Sequence, residues 1–144
     1  MLTTRQKGAI AEAEITAAAT RLDIAVLRPL SEGLRYDLML DLHPRLLRVQ
    51  CKWGSRRGDV IVVRTSTCRH TPAGYVKTTY STDEIDAVAI YCGDVHRCFL
   101  MPIGDVAGLH TVHLRLAPAR NNQQLLVKMA GDYDLAKMVR DLGL

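Results

Sequence analysis

Two short alternating segments joined by a proline turn constrain this chain more than any other feature. Tyr36-Asp37-Leu38-Met39-Leu40-Asp41 and Arg48-Val49-Gln50-Cys51-Lys52 flank His43-Pro44-Arg45. Alternation at a period of two marks strands with unlike faces, so the pair reads as an antiparallel hairpin. On the second strand Leu47, Val49 and Cys51 suit a core, while Arg48, Gln50 and Lys52 take the other face. On the first, Tyr36, Leu38 and Leu40 share one face and Asp37, Met39 and Asp41 the opposite one. A turn centred between Pro44 and Arg45 sets Asp37 opposite Lys52 and Asp41 opposite Arg48, so the polar faces coincide. A slip of one residue would carry the polar set into the core.

An acid, an amide and an amine thus share a face: Asp37, Gln50 and Lys52. One reading is a cross-strand Asp37–Lys52 ion pair, worth about 0.2–1 kcal/mol. The other is a metal-ligand pair beside a lysine, a set of groups suited to cutting a phosphodiester. Removing such charges from water is costly unless they are paired or bound to metal. Glu12 adds to the second reading. It lies on a helix one turn after Gly8, with Ala9 and Ile15 beside it, and small neighbours permit close approach to a sheet. A solvated glutamate in a good helix former is the alternative.

The rest of the chain frames the hairpin. Thr3 or Thr4 can cap a first helix carrying Ile10, Ala11, Ile15, Ala18, Ala19 and Leu22, ending near Asp23. Ile24 to Leu27 is a short strand. Gly54-Ser55-Arg56-Arg57-Gly58 reads as a basic loop, and Asp59 to Thr65 as a strand. Residues 66–83 are polar, with Pro72 and Gly74, and read as a long loop. Ala87 to Tyr91 and Cys98 to Met101 are strands with a turn at Asp94, and Val112 to Leu116 is the last strand. Asp132 can cap a final helix carrying Leu135, Met138, Val139 and Leu142. Helix, strands, helix suggests an α/β fold with a mixed sheet flanked by an N-terminal and a C-terminal helix.

The 144 residues fit one domain, 1–144, and 48% apolar with 24% charged residues is an ordinary soluble balance. A net charge of +4 tilts mildly toward a polyanion. Cysteines 51, 68, 92 and 98 form no Cys-x-x-Cys pair and read as reduced, buried thiols of a cytoplasmic protein. No signal-peptide pattern and no membrane-length apolar run is expected to make the chain a membrane protein. His110-x-x-His113 lacks further ligands, and no glycine-rich phosphate loop occurs.

These motifs resemble the PD-(D/E)XK nuclease superfamily, and within it the group I intron homing endonucleases and their relatives. The resemblance rests on Lys7-Gly8 with Glu12, Arg35-Tyr36-Asp37-Leu38 and Val49-Gln50-Cys51-Lys52. It continues in Ser81 to Asp86, Ala87-Val88-Ala89-Ile90-Tyr91, Leu100-Met101-Pro102-Ile103, Leu114-Arg115-Leu116 and Arg120-Asn121-Asn122-Gln123, covering nearly the whole chain. Gln50 departs from the superfamily's usual Asp or Glu, and a glutamine there is typical of the homing branch. The resemblance implies a restriction-endonuclease-like core and a metal-dependent DNA endonuclease. It makes Glu12, Asp37 and Gln50 metal ligands, with the Cys51 carbonyl as a further one. Lys52 positions or activates the attacking water or stabilises charge on the phosphate. Hard oxygen ligands favour Mg²⁺ or Mn²⁺.

Double-stranded DNA is the expected partner. Arg56 and Arg57, just after Lys52, and Arg64, Arg69 and Lys77 around the long loop are candidate phosphate contacts. His70 lies in the same loop, and a solvated basic loop is the alternative. Trp53 can stack on a base or pack in a core, the commoner fate of a tryptophan. Arg120 to Gln123 can read bases or cap a turn. A symmetric target implies a homodimer or homotetramer. Archaeal Holliday-junction resolvases also resemble the chain in the Lys-Gly…Glu helix, so a junction-specific nuclease is an alternative. So is a DNA-binding module weakened in catalysis by Gln50.

Overall fold

A computed structural model describes residues 1–119 and 127–143, apart from the side chains of Arg69 and His70. The Arg120–Gln123 stretch lies outside the described residues. The chain opens with α1 (Thr4–Arg21), started by Thr3 rather than Thr4. Thr3 Oγ1 accepts the Gln6 amide at 3.1 Å, and Gln6 Oε1 accepts the Thr3 amide at 2.8 Å. This reciprocal box satisfies two donors that a helix start leaves unpaired.

The strands follow as β1 (Ala25–Leu27), β2 (Leu38–Asp41), β3 (Leu46–Arg57), β4 (Val60–Arg64), β5 (Thr67–Thr71), β6 (Gly74–Thr78), β7 (Ala87–Cys92), β8 (Arg97–Pro102), β9 (Thr111–Arg115) and β10 (Lys128–Met129). The chain closes on α2 (Leu135–Gly143). Among the described residues, eight strands make one mixed sheet, and β5 with β6 forms a separate two-stranded ribbon. The α/β architecture, with a mixed central sheet and a helix from each end of the chain, is as expected.

Strand β7 is buried along its whole length, because both faces of the sheet are covered. Ala87, Ala89 and Tyr91 join Ala11, Ile15, Ala19, Leu38, Leu40, Leu47, Val49 and Leu135 in a core beneath the helices. Val88 and Ile90 face the other way, into a second core with Ile61, Val63, Tyr80, Ile85, Phe99 and Met101. Thus the face of β2 and β3 opposite the helices is not open; Tyr80 and Ile85 cover part of it.

Several expectations are corrected. The basic loop at 54–58 is strand. Residues 54–57 pair with β4, and only Gly58-Asp59 turns. Gly54 serves close packing there, since a Cβ would lie 2.8 Å from Ile61 Cγ2 and 3.0 Å from Ile90 Cγ2. The long loop at 66–83 contains the β5–β6 ribbon, whose residues pair across a Pro72-Ala73 turn. Strand β9 is not the last, because β10 pairs with it in parallel. Asp132 lies in a short 3₁₀ helix (Ala130–Tyr133), and the first turn of α2 closes instead on the Asp134 carbonyl, which accepts Met138 N–H.

Candidate active site

The long strand β3 organises the site. One edge of it pairs in parallel with β7 over residues 49–54. Its other edge pairs first with β2, over residues 46–49, and then with β4, over residues 54–57. Between these partners, at residues 50–53, no described strand takes up that edge. The backbone N–H and C=O of one strand residue point to the same edge. Cys51 points to the open one, where its N–H donates to Asp37 Oδ2 at 2.8 Å. The Cys51 carbonyl therefore faces the same gap.

The hairpin register differs from expectation by two residues. Leu38 pairs with Val49 and Met39 with Arg48, so the turn centres between His43 and Pro44. One residue further, Asp37 comes opposite Gln50 rather than Lys52, and Asp37 N–H donates to the Val49 carbonyl at 2.9 Å. Because the slip is even, no side chain of the paired strands changes face. Leu38, Leu40, Leu47 and Val49 are buried, as alternation requires. Tyr36 precedes the strand and packs with the second core, away from Leu38 and Leu40. Asp41 faces Leu46, not Arg48.

Asp37, Gln50 and Lys52 are each half-buried and largely unused by the protein. Among the described residues, Asp37 Oδ1 and the Gln50 amide take no hydrogen bond, and no ion pair joins Asp37 to Lys52. Burial holds the Asp37 carboxyl above its usual range, although the Cys51 amide, Lys52 and Arg28 oppose it. Burial likewise lowers Lys52, against the pull of Asp37 and with a further push from Arg35. The lysine ammonium rests 5.3 Å from the centroid of the buried Tyr80 ring. Both charges are therefore held in a setting that favours their neutral forms.

Glu12, from α1, lines one groove with Asp37, Tyr36 and Arg28, of about 360 Å³. The Glu12 carboxylate is paired with Arg28, a residue that no sequence pattern singled out. Glu12, Glu32 and Asp37 line this groove, and the Gln50 side chain and the Cys51 carbonyl lie next to Asp37 on β3. Among the described residues, no three His, Cys, Asp or Glu side chains form a metal-binding group. With an amide at position 50, Glu12 and Asp37 are the acidic members of the expected ligand set. The donors are all oxygen, which fits a hard divalent cation, and the unpartnered Asp37 Oδ1 and Gln50 amide leave room for one.

The basic candidates separate. Arg56 and Arg57 are exposed at the tip of the β3–β4 hairpin. Four and five residues along a strand from Lys52, they lie roughly 13–17 Å away, not beside the lysine as expected. Arg56 is turned back on its own hairpin, with Nε donating to the Gly58 carbonyl at 2.8 Å. Arg64, at the end of β4, and Lys77, on β6, are exposed, and Arg69 lies on β5. Trp53 packs, as the commoner reading had it: its ring meets Tyr91 edge-on at 5.7 Å, and a Cβ on Gly93 would lie 2.9 Å from Cη2. Cys51, Cys92 and Cys98 are buried or partly so, and all four thiols are free, but Cys68 is exposed on the ribbon. On the paired strand Tyr75, Val76 and Lys77 are exposed in succession, so the ribbon leaves both faces to solvent there. His110 and His113 are both exposed. No helix is long and apolar enough to cross a membrane among the described residues.

Sequence reasoning also missed the surroundings of Lys52. Arg35 stands 4.4 Å from the Tyr80 centroid, pairs with Glu84 at 2.6 Å, and donates to Thr67 Oγ1 at 3.0 Å and to the Thr79 carbonyl at 3.3 Å. Only the Arg35-Tyr36-Asp37 motif drew attention to it.

Comparison with known proteins adds to this geometry. Residues 2–136 match the family described as PD-(D/E)XK endonuclease. Among solved structures, a bacterial homing endonuclease, I-Ssp6803I, is similar, with a TM-score of 0.77 and 25% identity. The match covers 96% of this chain and 93% of that one. No curated protein matches the chain significantly.

Proposed function

The chain belongs to the PD-(D/E)XK endonuclease family, and on that footing we propose that it is a Mg²⁺- or Mn²⁺-dependent nuclease of the homing type, hydrolysing phosphodiester bonds in double-stranded DNA. The observation that carries this reading is the gap in the β3 edge, where Asp37 and Gln50 present unpartnered oxygens beside a half-buried Lys52. The similarity to a bacterial homing endonuclease supports the type.

Asp37, Gln50, the Cys51 carbonyl and Glu12 would hold the metal. When bound, it supplies Lewis-acid polarisation of the phosphoryl oxygen and a more acidic water. Asp37 is oriented for this by the Cys51 amide, which occupies only Oδ2. Lys52 carries the remaining work. Its ammonium approaches from the face shared with Gln50, and it can orient the attacking water or stabilise charge growing on the phosphate. Glu12 contributes once its carboxylate is shared between Arg28 and the site.

Substrate contacts come from outside the groove. Arg57, Arg64, Arg69 and Lys77, with Arg56, supply phosphate contacts that hold the duplex without reading its sequence. The two-stranded ribbon β5–β6 is of a size that the major groove of B-DNA admits. One such site cuts one strand, so a double-strand break calls for a homodimer or homotetramer.

Cleavage of linear duplex and of a four-way junction with Mg²⁺, and with EDTA, tests the reading. Mg²⁺-dependent cutting of the duplex that vanishes in Lys52→Ala is expected. Cutting of the junction alone would favour the resolvase-like alternative. A second reading, a DNA-binding module weakened in catalysis, is favoured by Gln50 and by the Arg28 that already neutralises Glu12. It predicts binding in EDTA with no cleavage under any metal.

A further inference from the structure

Tyr80 has no role in the chemistry above, yet two cations converge on it. Its ring is 3% exposed. The Arg35 guanidinium lies 4.4 Å from the ring centroid and the Lys52 ammonium 5.3 Å. Both distances are within the reach of a cation–π contact. A half-buried lysine would ordinarily seek an acceptor or a counter-ion. Lys52 makes no hydrogen bond among the described residues, and Asp37 forms no direct ion pair with it. The ring is thus the group that receives the ammonium.

The ring is itself fixed from outside. Arg35 ties it to Thr67 and Thr79, at the two feet of the β5–β6 ribbon, and to Glu84 beyond it. Within the second core Tyr80 packs with Ile85, Val88 and Ile90. Burial pushes its hydroxyl up to about 12, and that hydroxyl takes no hydrogen bond among the described residues. The aromatic face, rather than the hydroxyl, is what the site uses.

We propose that Tyr80, held in place by Arg35, is a positioning residue whose ring fixes the Lys52 ammonium on the strand face it shares with Gln50. The consequence for cutting rests on the endonuclease reading; the ring contact does not. With the ammonium anchored on an aromatic face, the lysine approaches a scissile phosphate without first giving up a carboxylate partner. Tying the same ring to the ribbon feet joins the substrate-holding element to the catalytic lysine through one side chain.

Isotope-labelled lysine makes the contact visible by NMR. The chain has five lysines, so Lys52 is assigned with Lys52→Arg. Its ε-methylene protons should be shifted upfield by the ring, as should those of Lys7, whose ammonium stands 5.9 Å from the Trp53 ring and serves as a control. Tyr80→Phe should keep the Lys52 shift and the cleavage rate. Tyr80→Leu, or Tyr80→Met should the leucine variant fail to fold, should abolish the shift at Lys52 and leave that at Lys7. The same variant should lower kcat about ten- to thirty-fold with KM unchanged. An unshifted Lys52 in the native protein overturns the proposal, as does a folded Tyr80→Leu that cuts at the native kcat. If the native protein cuts no DNA, the endonuclease reading falls and the NMR result alone decides the positioning.

Discussion

Two charged pairs stand on the same face of β3, four residues apart, and they are built in opposite ways. At Arg48 nearly every donor is satisfied. Its backbone amide donates to Asp86 Oδ2 at 2.7 Å, and its Nε and Nη2 reach both Asp86 oxygens at 3.1 and 3.2 Å. Further guanidinium donors meet the carbonyls of Asp83 and Thr82. Burial pulls the Asp86 carboxyl upward, but the Arg48 side chain and amide outweigh it and hold the carboxyl below its usual range. At Lys52 little is satisfied. Asp37 has one amide, Lys52 has an aromatic face, and both are shifted toward neutrality by burial. A bidentate arginine pair holds the β3–β7 junction together. A lysine and an aspartate left half-buried and apart cost stability and keep their lone pairs and protons for something else.

The largest effect that separates the two pairs is catalytic. Lys52→Ala and Asp37→Ala should lower Mg²⁺-dependent cleavage about a hundred- to ten-thousand-fold, read in single-turnover assays, with the circular dichroism of the native fold retained. Asp86→Asn should leave the cleavage rate of the folded protein near native. If it slowed cutting as much as Lys52→Ala, the division between structural and functional pairs would collapse.

Stability should divide them the other way. Asp86→Asn removes charge-assisted bonds from a guanidinium left behind, and should cost about 2 kcal/mol in urea unfolding at pH 7. The pH dependence sharpens this. A carboxyl depressed by folding stabilises above its unfolded value near 3.8, and loses that contribution as pH falls through the folded value. The gap in stability between native protein and Asp86→Asn should therefore narrow in acid, below about pH 4, and be constant from pH 5 to 7. A gap that widened in acid would have the sign wrong.

Asp37→Asn should raise the urea midpoint slightly at pH 7. An amide keeps the acceptor for the Cys51 N–H and removes a charge that burial disfavours. A marked loss of stability would mean that Asp37 is a structural partner like Asp86. The smallest effects belong to the surface. Arg57→Ala and Lys77→Ala should each weaken DNA binding modestly and reduce the slope of log K against log salt by about 0.9, one phosphate contact apiece.

Much of this was legible in the chain. Alternation assigned Leu38, Leu40, Leu47 and Val49 to one face and Arg48, Gln50 and Lys52 to the other, because the strand period is set by local geometry. That assignment survived a register error of two residues, since an even slip preserves faces while changing partners. The helix start at Thr3 was legible to within a residue, because the capping atoms lie three positions apart. The basic "loop" at 54–57 was misread since glycine and serine signal a turn locally, whereas here Gly54 answers to Ile61 and Ile90 across the sheet. The ribbon was hidden for the same reason: Thr67 to Thr78 is polar, and its strand pairing depends on its own partner rather than on a buried apolar stripe.

By itself the sequence determined the family-like motifs, the two-faced hairpin, the flanking helices and the residue types that chemistry would need. Only the tertiary structure decided which of those residues meet. The open edge of β3 exists because β2 ends before β4 begins, and Asp37 reaches Cys51 through that gap. Arg28 finds Glu12 from 16 positions away, and Tyr80 comes beneath Lys52 only once the chain has run through the ribbon and returned. Periodicity is a local property and can be read from neighbours along the chain. Contacts between distant segments are fixed by packing and by the pairing of backbone edges, and no spacing in the sequence encodes them.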